Sequence, residues 1–349
     1  MREISGRPNI LKRLNSDLIK NTLKELGSAT KAELAKETGI SLTTVGLILS
    51  SLVAEGEVLN QGYDESSGGR RAERYTINVN YSLVVALCVE EKYINYAVGN
   101  ATGEIFEESR VEIEEPRYTE AVEELIDSLI ARFNSIKCIG IGVPSAVDNG
   151  MLFTGEKLKE WHSFNVKAHL EDKYNLPIIM ENDLNAIATG FAHNRLKEAE
   201  LTTSHALNMV YINFTTTGIG AGIITNGMLV RGFSHYAGEV AFLQLGNGKT
   251  LYEVAWGEHT DEEYADTIAT AIANINCIIN PEYVVIGGEG FELNNLELIE
   301  SYCSRYIPEN IRPEIMHVED PLKDYIAGVM YITIEEMNSG IKLVTTKRL

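Results

Sequence analysis

Residues 209 to 239 combine glycines, threonines and a carboxylate in an order that could bind a phosphate or a sugar. They read MVYINFTTTGIGAGIITNGMLVRGFSHYAGE, with a glycine- and threonine-rich turn, a tight Asn226-Gly227 turn and a final Glu239. Backbone N–H groups in glycine turns can face an anion or a hydroxyl group, and Asn-Gly favours a two-residue hairpin. An ordinary β-hairpin would give the same pattern, so this stretch leaves both interpretations open.

Two further polar clusters carry oxygen atoms that suit the hydroxyl groups of a sugar. Asn182 and Asp183 follow a predicted strand, and open α/β sheets bind ligands at strand ends. Asp183 could deprotonate a sugar hydroxyl, and either residue could simply cap the next helix. Glu239 and Glu253 could accept hydrogen bonds from a polyol or could be solvated surface charges. Local sequence leaves each pair of alternatives open.

From residue 81 onward the sequence predicts an α/β body that would carry these groups. Near-continuous apolar runs and amphipathic stretches alternate, and the pattern begins again at Met209. The predicted strands are 83–89, 93–98, 104–106, 136–143, 177–180 and 283–286, and the predicted helices are 119–133, 166–174, 184–192, 264–279 and others to about residue 337. This alternation, started twice by a β-meander, predicts an α/β fold built twice.

The first 80 residues predict a separate helix-turn-helix. Apolar spacing predicts a helix over residues 15–26, Thr30 and Glu33 have capping-box spacing at a second helix, and Ser41 caps a third. Helices joined by Thr-Gly-Ile-Ser have helix-turn-helix spacing, in which the N-terminal residues of the last helix enter the major groove. The residues of this helix that we expect to contact DNA are Ser41, Thr43 and Thr44.

A loose segment with two arginines follows the predicted third helix. Arg70 and Arg71 lie between two short predicted strands, an arrangement typical of a wing that reaches a phosphate or the minor groove. Residues 1–80 hold eleven Lys and Arg against ten Asp and Glu, whereas the rest of the chain holds nineteen against forty. Any DNA contact must therefore come from the first 80 residues. A three-helix domain used for protein contact is the alternative.

The overall composition excludes several other classes of protein. A formal net charge of −20 excludes nucleic-acid binding through general basicity. The four cysteines are widely spaced and form no CxxC, which argues against a zinc or redox motif and favours free thiols in a reducing cytosol. There is no apolar core of a signal peptide and no run of eighteen apolar residues, so we expect a cytoplasmic protein without a membrane partner.

Six short motifs occur in a fixed order along the chain. They are the helix-turn-helix with Gly-Gly-Arg-Arg at 68–71, GVPSAVD at 142–148, ENDLNA at 181–186, TGIGAG at 217–222, AGE at 237–239 and NPEYVVIGG at 280–288. Together, from about Asn9 to Met337, they resemble the ROK family of repressors and sugar kinases, specifically its xylose-repressor-like and N-acetylglucosamine-repressor-like branch.

The resemblance implies a fold and a domain order. An N-terminal winged helix-turn-helix (1–80) would precede an α/β actin-like, ribonuclease H-like ROK domain with two lobes (81–200 and 201–349). The C-terminal helices would pack back on the first lobe, and a sugar would bind in the cleft. The resemblance also implies a homodimer or homotetramer.

Departures from the family pattern argue against an enzyme. Family kinases carry Asp-x-Gly-Gly-Thr on the first hairpin, whereas residues 88–92 here read Cys-Val-Glu-Glu-Lys, and Thr216 replaces a glycine of the second phosphate loop. Two carboxylates would repel ATP phosphates, and side chains would block the close approach of the backbone. We therefore expect no catalytic residue, no phosphoryl transfer and no cofactor, with Asp183 retained as a hydrogen-bond acceptor.

The family's zinc motif is also missing. Ala241-Phe242 stand in place of Gly-His, and no thiolate or imidazole remains for a tetrahedral metal, so we expect no metal site. Lys157 stands where the family has an Asn. The resemblance assigns binding of a sugar effector to Asn182, Asp183, Glu239 and Glu253. Lys157 departs from the family pattern and could pair with the phosphate of a sugar-phosphate effector.

The sequence thus predicts a sugar-responsive transcriptional regulator, a repressor of carbohydrate-metabolism genes that binds operator DNA. Two alternatives stay open. One is a ROK-type sugar kinase that carries a DNA-binding domain. The other is a regulator without an effector, which acts through oligomerisation or a protein partner.

Overall fold

The computed structural model describes residues 7–63, 71–113, 117–153, 158–198, 207–215, 218–245 and 248–338. The chain divides into two compact units. The first comprises Met1–Leu83, Asn100–Thr102 and Met337–Leu349, and the second comprises Val84–Gly99 and Gly103–Glu336. Arg70 and Lys157, two predicted binding residues, lie outside the described residues, as does Thr216.

The first unit contains three helices and a small antiparallel sheet. Its elements are α1 (Arg7–Leu26), β1 (Ala29–Thr30), α2 (Lys31–Thr38), α3 (Leu42–Glu55), β2 (Val58–Tyr63) and β3 (Glu73–Ile77). The strand order is β1-β3-β2, and a bend of 117° separates α2 from α3. Among the described residues no single helix is long and apolar enough to cross a membrane, and this bent pair meets the length and composition criteria only jointly.

The predicted helix caps in the first unit are confirmed. Thr30 Oγ1 accepts a hydrogen bond from Glu33 N, and Glu33 Oε2 accepts one from Thr30 N, which completes a capping box at α2. Ser41 Oγ accepts from Thr44 N at the start of α3. The predicted start of α1 at residue 15 is wrong, because the helix begins at Arg7 with Pro8 in its first turn. Proline is accepted there because the first N–H groups of a helix have no partner within it.

The first sheet of the second unit is a mixed five-stranded sheet in the order β10-β7-β4-β5-β6. Its strands are β4 (Leu83–Val89), β5 (Tyr93–Asn100), β6 (Ile105–Glu112), β7 (Ile136–Val143) and β10 (Ile178–Asn182), and a small hairpin adds β8 (Val147–Asp148) and β9 (Met151–Leu152). The associated helices are α4 (Tyr118–Arg132), α5 (Val166–Tyr174) and α6 (Asp183–Glu198).

The second sheet repeats the plan of the first, in the order β13-β12-β11-β14-β15. Its strands are β11 (Met209–Phe214), β12 (Ile219–Thr225), β13 (Met228–Leu229), β14 (Tyr283–Gly287) and β15 (Glu314–Val318). The helices are α7 (Leu251–Ala255), α8 (Asp261–Ile279), α9 (Leu296–Tyr306) and α10 (Leu322–Asn338). The Asn226-Gly227 turn has two positive φ angles, 52° and 71°, as a type I′ hairpin requires.

Helix α6 packs directly on the glycine-rich strand β12. A side chain at Gly222 would collide with Leu184 O and with Ala188, and one at Gly220 would collide with Leu184. On its other side α6 contacts α10, where Gly190 and Gly328 allow the two backbones to meet. Packing against helix α6 therefore explains the glycines at positions 220 and 222, and the sequence alone did not distinguish this cause from a phosphate-binding turn.

Candidate effector site

Asn182 stands at the carboxyl end of β10, opposite Val143 of the parallel strand β7. Its Oδ1 accepts hydrogen bonds from Leu184 N (3.0 Å) and Asn185 N (3.1 Å), so Asn182 caps α6. Its Nδ2 donates to Asp183 Oδ1 (2.8 Å) and to the carbonyl of Ser145 (3.3 Å). Because an amide offers two donors and two acceptor lone pairs, all are engaged within the protein. The geometry favours a structural role for Asn182, and its direct sugar contact stays a prediction.

Asp183 occupies the first turn of α6. Its Oδ1 accepts from Leu184 N at 2.8 Å, which fixes the carboxylate at the N-terminal end of the helix. Asp183 and Glu90 lie within electrostatic range of Cys88 and Tyr325, and both thiol and phenol are buried. Burial, and secondarily these negative charges, raise the pKa of Cys88 and of Tyr325. The surroundings of Cys88 and Tyr325 are thus acidic.

Glu181 forms an ion pair that the sequence did not predict. Its side chain is buried, and its Oε2 accepts from Arg231 Nε (3.0 Å) and Nη2 (2.6 Å). Its Oε1 accepts from Asn185 Nδ2 (2.9 Å) and Asn182 N (3.0 Å). The pair joins the end of β10 to a segment fifty residues further along the chain. The ENDLNA motif pointed to Glu181, but no sequence signal identified Arg231 as its partner.

Residues 230–239, the Glu239 loop, are held against β12. Val230 N donates to Ile223 O (2.8 Å), and Ala221 N donates to Gly238 O (2.8 Å). Gly238 has a φ of +97°, and a side chain there would collide with Ala221 O, so only glycine fits. His235 Nε2 lies 3.6 Å from Asp148 Oδ1 of the GVPSAVD motif. Contacts with β12 and with Asp148 therefore hold the segment that leads to Glu239.

Glu239 differs from the other candidate carboxylates because it is half-buried and makes no side-chain hydrogen bond or ion pair with any described residue. Burial raises its pKa above the ordinary value. A desolvated carboxylate without a partner is costly in a folded protein and is typical of a binding site. Of the predicted effector residues that the structure describes, Glu239 is therefore the one whose carboxylate is best placed to accept a hydrogen bond from a ligand hydroxyl group.

Glu253 lies in the opposite environment. It is exposed, and its Oε2 accepts from Thr250 N (2.7 Å) and Thr250 Oγ1 (2.9 Å), completing a capping box at α7. These hydrogen bonds lower the pKa of Glu253. Phe242 is 70% exposed. A sugar contact of Glu253 stays a prediction, and the described residues contain no group of three or more His, Cys, Asp or Glu that could hold a metal ion.

The structure describes four of the predicted DNA-contacting residues, namely Ser41, Thr43, Thr44 and Arg71, and all four belong to the first unit. Thr43 and Arg71 are exposed. Ser41 Oγ and Thr44 Oγ1 are 2.8 Å apart, so these two hydroxyl groups bond to each other at the N-terminus of α3. Sequence reasoning missed Leu47, which is 70% exposed on the same helix.

The two sheets of identical strand order, each flanked by helices, define an actin-like α/β fold in the second unit. Residues 85–253 match the ROK family. A Caldicellulosiruptor sp. (strain Rt8B.4) protein, provisionally assigned as a xylose repressor, is 29% identical over 95% of this chain and 98% of its own.

Two solved structures share the fold. A ROK family transcriptional regulator, a homologue of the E. coli MLC protein, superposes with a TM-score of 0.68 at 17% identity over 94% of this chain and 98% of its own. The ROK hexokinase of Thermus thermophilus gives a TM-score of 0.58 at 20% identity, over 73% of this chain and 99% of its own.

Proposed function

We propose that this protein is a sugar-responsive transcriptional repressor in which a winged helix-turn-helix binds operator DNA. The observation that carries the proposal is the extent of the two structural matches. The regulator covers 94% of the chain, whereas almost the whole hexokinase covers 73%. The chain is therefore longer than a kinase body, and it has a compact N-terminal unit of three helices and a small sheet.

The geometry of α2 and α3 supports the DNA-binding part of the proposal. Their bend of 117° and the short turn through Gly39, with φ of +69°, suit a helix-turn-helix. In such a domain α3 enters the major groove and the β2–β3 hairpin, with Arg70 and Arg71, contacts the backbone or the minor groove. Two copies in a dimer or tetramer would bind two half-sites.

The Glu239 loop supports the proposal that the protein binds a sugar effector. Glu239 and Asp183 supply acceptor oxygens for sugar hydroxyl groups, and the Glu181–Arg231 pair holds the loop in place. A xylose-like sugar is the first ligand to test, because the relative named above is assigned as a xylose repressor. A phosphorylated sugar would bring Lys157 into contact with its phosphate.

A sugar kinase is the second candidate, and the structural likeness to a hexokinase supports it. The acidic turn at Glu90, where Glu90 Oε1 accepts from Asn95 Nδ2 at 3.0 Å, opposes ATP phosphates. A coupled assay of ATP consumption with a panel of pentoses and hexoses separates the two candidates. We expect no turnover. Turnover that Asp183→Asn abolishes would establish the kinase and overturn the proposal.

The sugar-binding claim is tested by thermal unfolding of the full chain with D-xylose, D-glucose, N-acetylglucosamine and their phosphates. A sugar at 100 times its Kd stabilises the folded protein by about 2.7 kcal/mol. We expect at least one sugar to raise Tm in the wild type and not in Glu239→Gln. Glu112→Gln, which alters an exposed carboxylate on β6, should respond like the wild type. If no sugar raises Tm, the effector part of the proposal is wrong.

A further inference from the structure

The exposed face of α3 is uncharged over its first three turns and combines leucines with small polar side chains. Val45, Ile48, Leu49 and Leu52 lie on the opposite face and are buried in the core of the first unit. The side chains left on the surface from the first to the third turn are Leu42, Thr43, Leu47 and Ser50. Leu47 is 70% exposed although the helix already has a complete buried face. The fold itself therefore does not require a leucine at this position.

The polar groups on this face are largely engaged locally. Ser41 and Thr44 bond to each other, and Ser50 Oγ donates to Gly46 O at 2.9 Å. Residues 41–54 include no charged residue and no Asn or Gln. Arg and Lys pair with guanine, and Asn and Gln with adenine, in direct readout of the major groove. With none of these present, the large exposed side chains with which the first turns of α3 can distinguish bases are Leu42 and Leu47.

Gly46 is a second, independent observation. It lies in the interior of α3, where glycine destabilises a helix by about 1 kcal/mol relative to alanine. Its φ is not positive, and a side chain there would meet no described atom within 4 Å. Neither backbone conformation nor packing within the described residues requires a glycine. Close approach of another molecule beside Leu47 would require one.

On these grounds, and resting on the DNA-binding function proposed above, we propose that Leu47 contacts the C5-methyl group of a thymine. Gly46 lets α3 approach the base pairs closely enough for that contact. The thymine methyl is the apolar group that the major groove presents. The operator half-site therefore has an A·T pair opposite Leu47, and the specificity of α3 depends on methyl contact more than on base-edge hydrogen bonds.

The test begins with selection of binding sequences from random duplex DNA by the full-length protein. Each thymine of the selected site is then replaced by deoxyuridine, which removes the methyl group and keeps every hydrogen-bonding group. We expect one replacement per half-site to weaken wild-type binding roughly fourfold, the effect of burying one methyl group. In Leu47→Ala the same replacement should have no effect. Leu26→Ala, which shortens an exposed leucine at the end of α1, should discriminate like the wild type.

Gly46→Ala gives a second readout that a purely structural role would not produce. The variant should have a higher Tm than the wild type, because alanine favours the helix, and should bind the selected DNA at least tenfold more weakly. Tight binding of a selected site that is indifferent to deoxyuridine at every position would overturn the role of Leu47 and leave DNA binding intact. If no sequence is enriched, both the inference and the DNA-binding function fail. An apolar partner protein bound at Leu47 in place of DNA would give that result.

Discussion

The Glu239 loop and the segment 248–255 around Glu253 both follow the second sheet's hairpin, and each carries a carboxylate predicted to bind a sugar. The two are stabilised in different ways. The Glu239 loop depends on remote contacts, above all the Glu181–Arg231 ion pair, and its carboxylate has no partner among the described residues. In segment 248–255 the carboxylate itself caps α7. A carboxylate that stabilises its own segment is less available to a ligand, and this difference makes Glu239 the stronger candidate.

Arg231→Ala should have the largest effect on this comparison. It leaves the buried carboxylate of Glu181 without its cation. Because the side chain of Arg231 is itself 40% exposed, the cost is nearer that of an unsatisfied buried polar group, about 3 kcal/mol, than that of a fully buried ion pair. The Glu239 loop would also lose its contact with β10. Urea denaturation measures the free energy of unfolding. The control variant is Arg312→Ala, which removes an arginine that donates hydrogen bonds to carbonyl groups at the end of α9. A loss below 1 kcal/mol for Arg231→Ala would mean that the stability of the fold does not depend on this ion pair.

Gly222→Ala should have the next largest effect on stability. It tests the packing of α6 on β12, the strand against which the Glu239 loop is held. The added methyl group collides with Leu184 O of α6, and such overpacking costs about 1–3 kcal/mol. Gly218→Ala is the matched control, since its nearest atom, Thr215 Oγ1, would be 3.9 Å away. Thermal unfolding compares the two variants. Equal stability would mean that packing on α6 is not the reason for glycine at residue 222.

Thr250→Ala should have a smaller effect confined to the Glu253 segment. It removes the capping hydroxyl of α7, a loss of about 1 kcal/mol. Affinity for a sugar that binds through Glu239 should not change. A large loss of sugar affinity would show that the position of Glu253 matters for the ligand and would remove the contrast between the two segments.

The smallest effect concerns the pH dependence of stability at Glu239. Burial raises its pKa in the folded protein above the ordinary value of 4.5. Its contribution to stability is therefore fully present below about pH 4.5 and is lost as pH rises through the raised pKa. Relative to Glu239→Gln, the wild type should lose stability across that window and then level off. A difference that does not vary with pH would contradict the desolvation of this carboxylate.

Local patterns predicted much of the fold. The strands 83–89 and 136–143 are those predicted, since buried strands require apolar runs, and the caps at Thr30 and Ser41 depend only on residues three positions apart. Strand β6 was predicted too short, because its exposed polar residues after Phe106 interrupt the apolar signal.

The site was less predictable, because its contacts are remote in sequence. Arg231 meets Glu181 across fifty residues, and the reason for glycine at residue 222 is a helix that begins near residue 183. The capping box of Thr250 and Glu253 has the same spacing as the one found at Thr30, so that signal was present and was overlooked. Sequence identifies such carboxylates but not which of them the fold leaves without a partner.

The central claim is that sugar binding at Glu239 controls DNA binding, and fluorescence anisotropy of the full chain on its selected DNA tests it most directly. The titration is made with and without the sugar that raises Tm, on the wild type, Glu239→Gln and Glu112→Gln. We predict at least a tenfold change of DNA affinity in the wild type and in Glu112→Gln, and none in Glu239→Gln, with equal affinity of all three in the absence of sugar. A sugar response that persists unchanged in Glu239→Gln would contradict the claim.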